Sequence, residues 1–286
     1  MNFIEKIKYR FKNANIVEQL IYINLGVFLA VFLVNTFSFL FGSNVNILVD
    51  WFSLPASFSK FSVKPWTIFT YGFLHAGFLH ILFNLIALFY IGNLFLEYFT
   101  AKQLLSFYIL GTLFGGIIFL VSYNYFPAFS KEIDRSILLG ASAGISAIFV
   151  GIATYMPNYQ LKIRFIGFVK LWYLAAIWVV LDVLQIPISN PGGHLAHLGG
   201  ALFGFLYVKQ ASNKKIDLWA KITSLFSIKK KPLKTVYKSD KKTTKSPQSN
   251  SPNQQEIDTI LDKISKSGYD TLTKAEKEFL FKQGKK

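Results

Sequence analysis

The sequence predicts an all-α, polytopic membrane protein: a bundle of six transmembrane helices with a small cytosolic C-terminal helical tail. Three observations carry this. Of 286 residues, 52% are hydrophobic and 17% aromatic, with 30 phenylalanines, and the mean hydropathy is +0.37; soluble domains are rarely so apolar. The apolar residues gather in runs approaching the ~20 residues that carry a helix across a bilayer core. The basic residues collect at the chain ends and in alternate connections.

The apolar runs lie near residues 19–41, 68–96, 103–126, 137–156, 165–185 and 195–211. The first follows a basic segment, Met1 to Lys12, and is too long for the core of a signal peptide, so it reads as an uncleaved span. Lys6, Lys8, Arg10 and Lys12 precede it; Lys102, then Lys162, Arg164 and Lys170, and finally Lys209, Lys214 and Lys215 occupy the connections on the same side. The opposite set is poorer: Lys60 and Lys64, then Lys131 and Arg135, and none in the last. The positive-inside rule places both termini in the cytoplasm, which an even number of spans requires.

The connection from Gly42 to Trp66 mixes Trp51, Phe52, Phe58, Phe61 and Trp66 with Pro55 and Pro65, and is expected to fold into the outer interface, where aromatic rings sit well. Four domains follow: a basic cytosolic N-terminus (1–15), the membrane domain (16–211), a disordered basic linker (212–254) and a cytosolic helical tail (255–286). The linker is predicted disordered because its Lys, Ser, Thr, Pro, Asn and Gln lack apolar periodicity. In the tail, Ile257, Ile260, Leu261 and Ile264 recur at helical spacing, Ser267-Gly268 ends that helix, and Thr273 with Glu276 forms a capping box before Phe279, Leu280 and Phe281.

The formal net charge is +16. Because the excess flanks the apolar block, it fits anionic headgroups rather than nucleic acid, which is not an expected partner. Cysteine is absent, which excludes disulfides, thiolate zinc sites and cysteine nucleophiles.

Polar groups inside apolar runs are costly unless they are used. Ser142 lies in Gly140-Ala-Ser-Ala-Gly144 at the head of the fourth run, and His197 in Ala196-His-Leu-Gly-Gly200 at the head of the sixth. Together they supply a nucleophile and a base. In the second run His80 and Asn84, four residues apart, share a helix face and offer donors suited to an oxyanion. Gly200 and Gly204 form a small face; if it meets the fourth helix, His197 reaches Ser142. Gly111, Gly115 and Gly116 would let the third helix pack closely. All these polar groups fall in the outer half of the bundle.

The His75-(four residues)-His80-(three)-Asn84 pattern, the Gly-x-Ser turn and Ala-His-x-x-Gly, each in its own span, resemble the rhomboid family of intramembrane serine proteases over about residues 60–211. The resemblance implies that Ser142 is the nucleophile and His197 its base. His80, Asn84 and the Ser142 amide would hold the oxyanion, in a site open to the extracytoplasmic side. The tail from about Ile257 resembles a short C-terminal module of bacterial relatives. The chain departs from the family's common pattern at three places: Ala143 follows the serine where glycine is usual, Ser146 stands where an aromatic packs on the histidine, and Trp66-Thr67 replaces a Trp-Arg pair. Phe149 or another aromatic would have to support His197.

The function expected is that of an intramembrane endopeptidase cleaving transmembrane segments of membrane proteins near the outer face; the alternative is a catalytically silent relative that binds such segments. Expected partners are transmembrane substrates and the bilayer of a bacterial cell membrane, with the partner of the tail unknown. No cofactor or metal is expected, since no HExxH motif is present and no carboxylate joins the two histidine pairs. His75 and His194 read as rim residues with hydrogen-bond partners. Asp182 could complete a triad, but is assigned to pairing with a neighbour at the turn between the fifth and sixth spans.

Overall fold

The computed structural model describes residues 2–43, 45–211 and 252–283. These fall into two compact units, divided at Ser227. Most of the linker expected to be disordered, 212–251, lies outside the described residues; its last residues already belong to a helix.

In the first unit, helices α1 (Phe3–Asn13) and α2 (Ile16–Leu40) both start on capping boxes, Asn2 with Glu5 and Asn15 with Glu18. Each asparagine accepts an amide that has no partner within its helix. Helix α2 fully buries only Val17, Leu20, Asn24 and Val31, with Ile16 and Ile21 packed partly buried against the core.

The connection that follows α2 is folded, as expected. It contains α3 (Ile47–Phe52), β1 (Leu54–Pro55) and α4 (Phe58–Val63). The Trp51 and Trp66 rings stack 6.0 Å apart and 7° from parallel, and the Trp66 indole donates to the Trp51 carbonyl at 3.0 Å. Strand β1 pairs antiparallel with β2 (Ile137–Leu138), Leu54 opposite Leu138 and Pro55 opposite Ile137. The Ala56 amide adds a bond to the Ser136 carbonyl at 3.0 Å. This connection is thus tied to the segment that leads into the Gly140 turn.

The second expected span is not one helix. A short helix α5 (Thr67–Thr70) and a 3-10 turn (Tyr71–Phe73) precede α6 (Phe78–Leu96). This irregular backbone is satisfied by protein groups: the Tyr108 hydroxyl donates to the Gly72 carbonyl at 2.9 Å and accepts from Asn24 Nδ2 at 3.1 Å. Within a bilayer, irregular backbone survives only where protein or a water-filled cavity satisfies it. The buried Tyr71 hydroxyl donates to the Thr112 carbonyl at 2.6 Å.

Helix α7 (Ala101–Tyr125) follows a Thr100–Gln103 capping box, and α8 (Ser142–Tyr155) follows β2. The fifth run is shorter than its apolarity suggests. Residues 160–170 form a hairpin, β3 (Gln160–Ile163) with β4 (Gly167–Lys170), turning at Gly167 with φ +96°; the residues alternate as a strand does. Helices α9 (Leu171–Gln185) and α10 (Pro191–Ala211) complete the unit.

Among the described residues, three helices (α2, α6 and α7) are long and apolar enough to cross a membrane by length and composition. Helices α8 and α9 are apolar but have 14 and 15 residues. Helix α8 is the centre of the unit: every residue from 143 to 153 is buried. Small residues bring its neighbours into contact. A Cβ at Gly200 or Gly204 of α10 would strike the carbonyls of Ala143 and Ala147, and one at Gly115 of α7 would lie 2.6 Å from the Ala143 Cβ. The small face of the sixth run does meet the fourth helix.

The second unit contains α11 (Pro252–Ser267), a 3-10 turn (Tyr269–Thr271) and α12 (Lys274–Gln283). Gly268 breaks α11 at φ +80°. Thr273 and Glu276 cap α12 reciprocally, at 2.7 and 3.3 Å. Ile260 and Leu272 are its buried apolar residues.

Candidate active site

Helix α8 begins at Ser142 because the chain turns sharply just before it. Gly140 has φ +130°, a conformation side chains resist, and its amide donates to the Tyr71 carbonyl at 3.0 Å. A Cβ there would also lie 2.9 Å from both Nε2 and Cε1 of His80. Glycine is therefore required twice over, by the turn and by the imidazole against it.

Starting the helix at Ser142 leaves the Ser142 amide without a carbonyl four residues back, at the positive end of the helix dipole. Fourteen residues make a helix about 21 Å long, shorter than a hydrocarbon core of about 30 Å. A crossing this short would set Ser142 below one surface rather than at it.

Ser142 Oγ lies 2.7 Å from His197 Nε2, across the α8–α10 contact built by Gly200 and Gly204. On the far side of the ring, His197 Nδ1 lies 2.8 Å from Asp182 Oδ1. A carboxylate only accepts, so Nδ1 carries the imidazole proton and Nε2 is left to accept from the serine hydroxyl. This is the tautomer a base requires. Asp182, on α9, is 5% exposed. The same Oδ1 accepts from His194 Nδ1 at 2.7 Å, which joins α9 to the first turn of α10.

Two expectations are corrected here. A carboxylate does join the histidines 194 and 197, and the pairing assigned to Asp182 includes His197 itself. His75 is not a partnered rim residue: it is 4% exposed and neither ring nitrogen has a hydrogen-bond partner. Its ring meets that of His80 edge-on, with centroids 5.1 Å apart. It also lines a cavity of about 1390 Å³ that runs along α2 and the connection after it, of which neither Ser142 nor His197 forms a wall.

His80 Nδ1 accepts from the Ala76 amide at 3.3 Å, which leaves the proton on Nε2, the nitrogen beside Gly140. Asn84 is buried and donates one of its two N–H groups to the His80 carbonyl at 2.8 Å. One donor of the amide remains.

The aromatic support of His197 comes from α9. The Trp178 ring lies 6.0 Å from the His197 ring at 36°, and its indole N–H donates to Ser146 Oγ at 3.3 Å. Phe149, the candidate from the sequence, instead packs edge-on against Trp178. A serine at 146 leaves room for the tryptophan and fixes its indole. The sequence signal was a departure at one position; its compensation lies 32 residues away and has no local signature.

A family model described as the Rhomboid domain matches residues 62–214, more than half of the chain. The chain belongs to the rhomboid family. It is 30% identical over 144 residues to RHOMBOID-like protein 12, mitochondrial, from Arabidopsis thaliana. That match covers 47% of this chain and 43% of the relative, so the rhomboid chain spans less than half of that relative's length. Residues 248–286 match a second family, described as one of unknown function, DUF6576. The rhomboid is an integral membrane protein, and Ser142, His197, His80 and Asn84 all fall within the part that the family model matches.

Proposed function

We propose that this rhomboid is an intramembrane serine endopeptidase that cleaves transmembrane segments of other membrane proteins near the extracytoplasmic face. Six spans, formed by α2, α6, α7, α8, α9 and α10, would leave both termini in the cytoplasm of a bacterial cell. The observation that carries the reading is the line of contacts from Ser142 Oγ through His197 to Asp182, at 2.7 and 2.8 Å.

In this mechanism Ser142 Oγ attacks a substrate carbonyl as His197 Nε2 takes its proton. Only a segment unwound from helix offers such a carbonyl, since helical backbone is already hydrogen-bonded. The oxyanion forms beside the Ser142 amide and His80 Nε2–H, with Asn84 a further donor. Collapse breaks the C–N bond, and the leaving amine takes the proton from His197. Water then attacks the acyl ester, His197 again acting as base, and Ser142 recovers its proton. Asp182 holds the imidazole in the tautomer this sequence needs and stabilises its protonated form.

The test uses purified protein in detergent with a reporter transmembrane substrate and a fluorophosphonate probe. Wild type cleaves the substrate and is labelled; Ser142→Ala and His197→Ala do neither. His80→Ala is expected to lower kcat about 100- to 1000-fold, the usual loss for one oxyanion donor. A wild type that is neither labelled nor cleaves the substrate would favour the silent binder, and cleavage undiminished in Ser142→Ala would overturn Ser142 as the nucleophile.

A further inference from the structure

We propose that Asp182, His194 and His197 form a binding site for a divalent transition metal of the zinc class, and that its occupation switches the serine–histidine pair off. The second half rests on the protease reading above; the first does not.

One ligand atom from each of the three residues lies within 4.8 Å of the other two. Both histidines aim Nδ1 at the same Asp182 oxygen, at 2.7 and 2.8 Å. Tetrahedral zinc holds its nitrogen and oxygen ligands at about 2.0–2.2 Å, which sets them about 3.4 Å apart. Moving each nitrogen back by about 0.6 Å would admit the ion in place of the two protons. The side chains of the three residues are 7–15% exposed, so the site is sheltered but not sealed.

A second, independent observation points to a ligand. Asp182 Oδ2 is buried and has no hydrogen-bond partner. A buried carboxylate oxygen left unsatisfied is costly, and a cation on the same carboxylate relieves it. Two imidazoles and one carboxylate select zinc, copper or nickel over magnesium or calcium, which prefer all-oxygen sets.

The consequence for Ser142 follows from imidazole chemistry. A neutral ring carries one proton. With Nδ1 on the metal, that proton resides on Nε2, which then donates to Ser142 Oγ instead of accepting from it. The metal sits on the far side of the ring from the serine and still removes the base.

The full chain, purified metal-free in detergent, is titrated with Zn2+ by calorimetry and with Co2+ by visible absorption. One tight ion per chain is expected. His194→Gln and Asp182→Asn should each weaken it at least tenfold, whereas His75→Gln and Ser142→Ala should not. Zinc should inhibit cleavage of the reporter substrate, a chelator should restore it, and His194→Gln should raise the inhibiting concentration at least tenfold. Should a variant fail to fold, the wild-type Co2+ spectrum decides: intense tetrahedral bands support the site, and weak octahedral bands overturn it. Affinity equal in wild type and both variants overturns it too, as does zinc that binds yet leaves turnover unchanged or raises it. A chain that takes up zinc at these residues but cleaves nothing keeps the metal site and loses the protease reading. A chain that cleaves but takes up no zinc does the opposite.

Discussion

Replacing Asp182 with asparagine isolates what a carboxylate behind the imidazole contributes to turnover. The substitution keeps size and shape but removes the charge that holds His197 Nδ1–H at 2.8 Å. A hydrogen bond to a charged, buried group contributes about 1.5–3 kcal/mol. At 1.36 kcal/mol per tenfold in rate, losing it from the transition state lowers kcat about 10- to 160-fold. The lower end applies if the amide oxygen still accepts from Nδ1–H. The upper end applies if the amide makes no bond to the ring; an amide nitrogen that turned to the ring and forced the other tautomer would cost more, about 10⁴-fold. Because Asp182 touches no substrate atom, KM should stay within about twofold. The assay is steady-state cleavage of a reporter transmembrane substrate, with fluorophosphonate labelling of Ser142 expected to slow in parallel. Asp182→Glu should recover part of the rate. A drop in kcat of less than about threefold, or a rise in KM alone, would refute the reasoning and leave Asp182 as a tie between α9 and α10.

Trp178→Ala should lower kcat about 10- to 100-fold by freeing the His197 ring, with Trp178→Phe retaining most of it; unchanged turnover in the alanine variant would count against that support. Gly204→Leu drives a side chain into the Ala147 carbonyl, and such overpacking costs about 1–3 kcal/mol, lowering Tm by at least about 2 °C when followed by tryptophan fluorescence. In the C-terminal unit, bonds from Lys263 and Thr273 hold Glu276 down at about 2, below its ordinary 4.5. The depressed value means that its contribution to stability is complete above about pH 4.5 and is lost as pH falls towards 2. Hydrogen exchange over residues 269–283, corrected for intrinsic rates, should show α12 loosening in that window, and Glu276→Gln should remove the dependence.

The contact of Ser142 with His197 was legible because both are polar groups inside apolar runs, each beside small residues that announce close contact. His80 and Asn84 were legible from helical spacing. Asp182 was visible as an intramembrane charge, but its partner depended on the rotation of α9 against α10, which no spacing within either helix encodes. Trp178 was hidden for the same reason. Element types followed from apolar periodicity, yet hydropathy merged unlike structures. It joined α5, the turn and α6 into one run, because the Tyr108 hydroxyl and the Gly140 amide rather than water satisfy carbonyls of that turn, and it counted the Phe165 to Val169 part of a hairpin as span. His75 ran the other way: a histidine at the head of a span suggests an exposed rim, and burial against His80 is a tertiary fact.

The pairing of Leu54 and Pro55 with residues 137 and 138 has a practical corollary for anyone dividing this protein. The recognisable family region starts at residue 62, eight positions or so downstream of the strand that braces the approach to Gly140. A fragment or chimera cut at that boundary would keep Ser142 and His197 but sever the strand that braces the turn just ahead of Ser142. Swaps with other members of the family are better joined ahead of Asn46, so that brace and Gly140 turn travel as one piece.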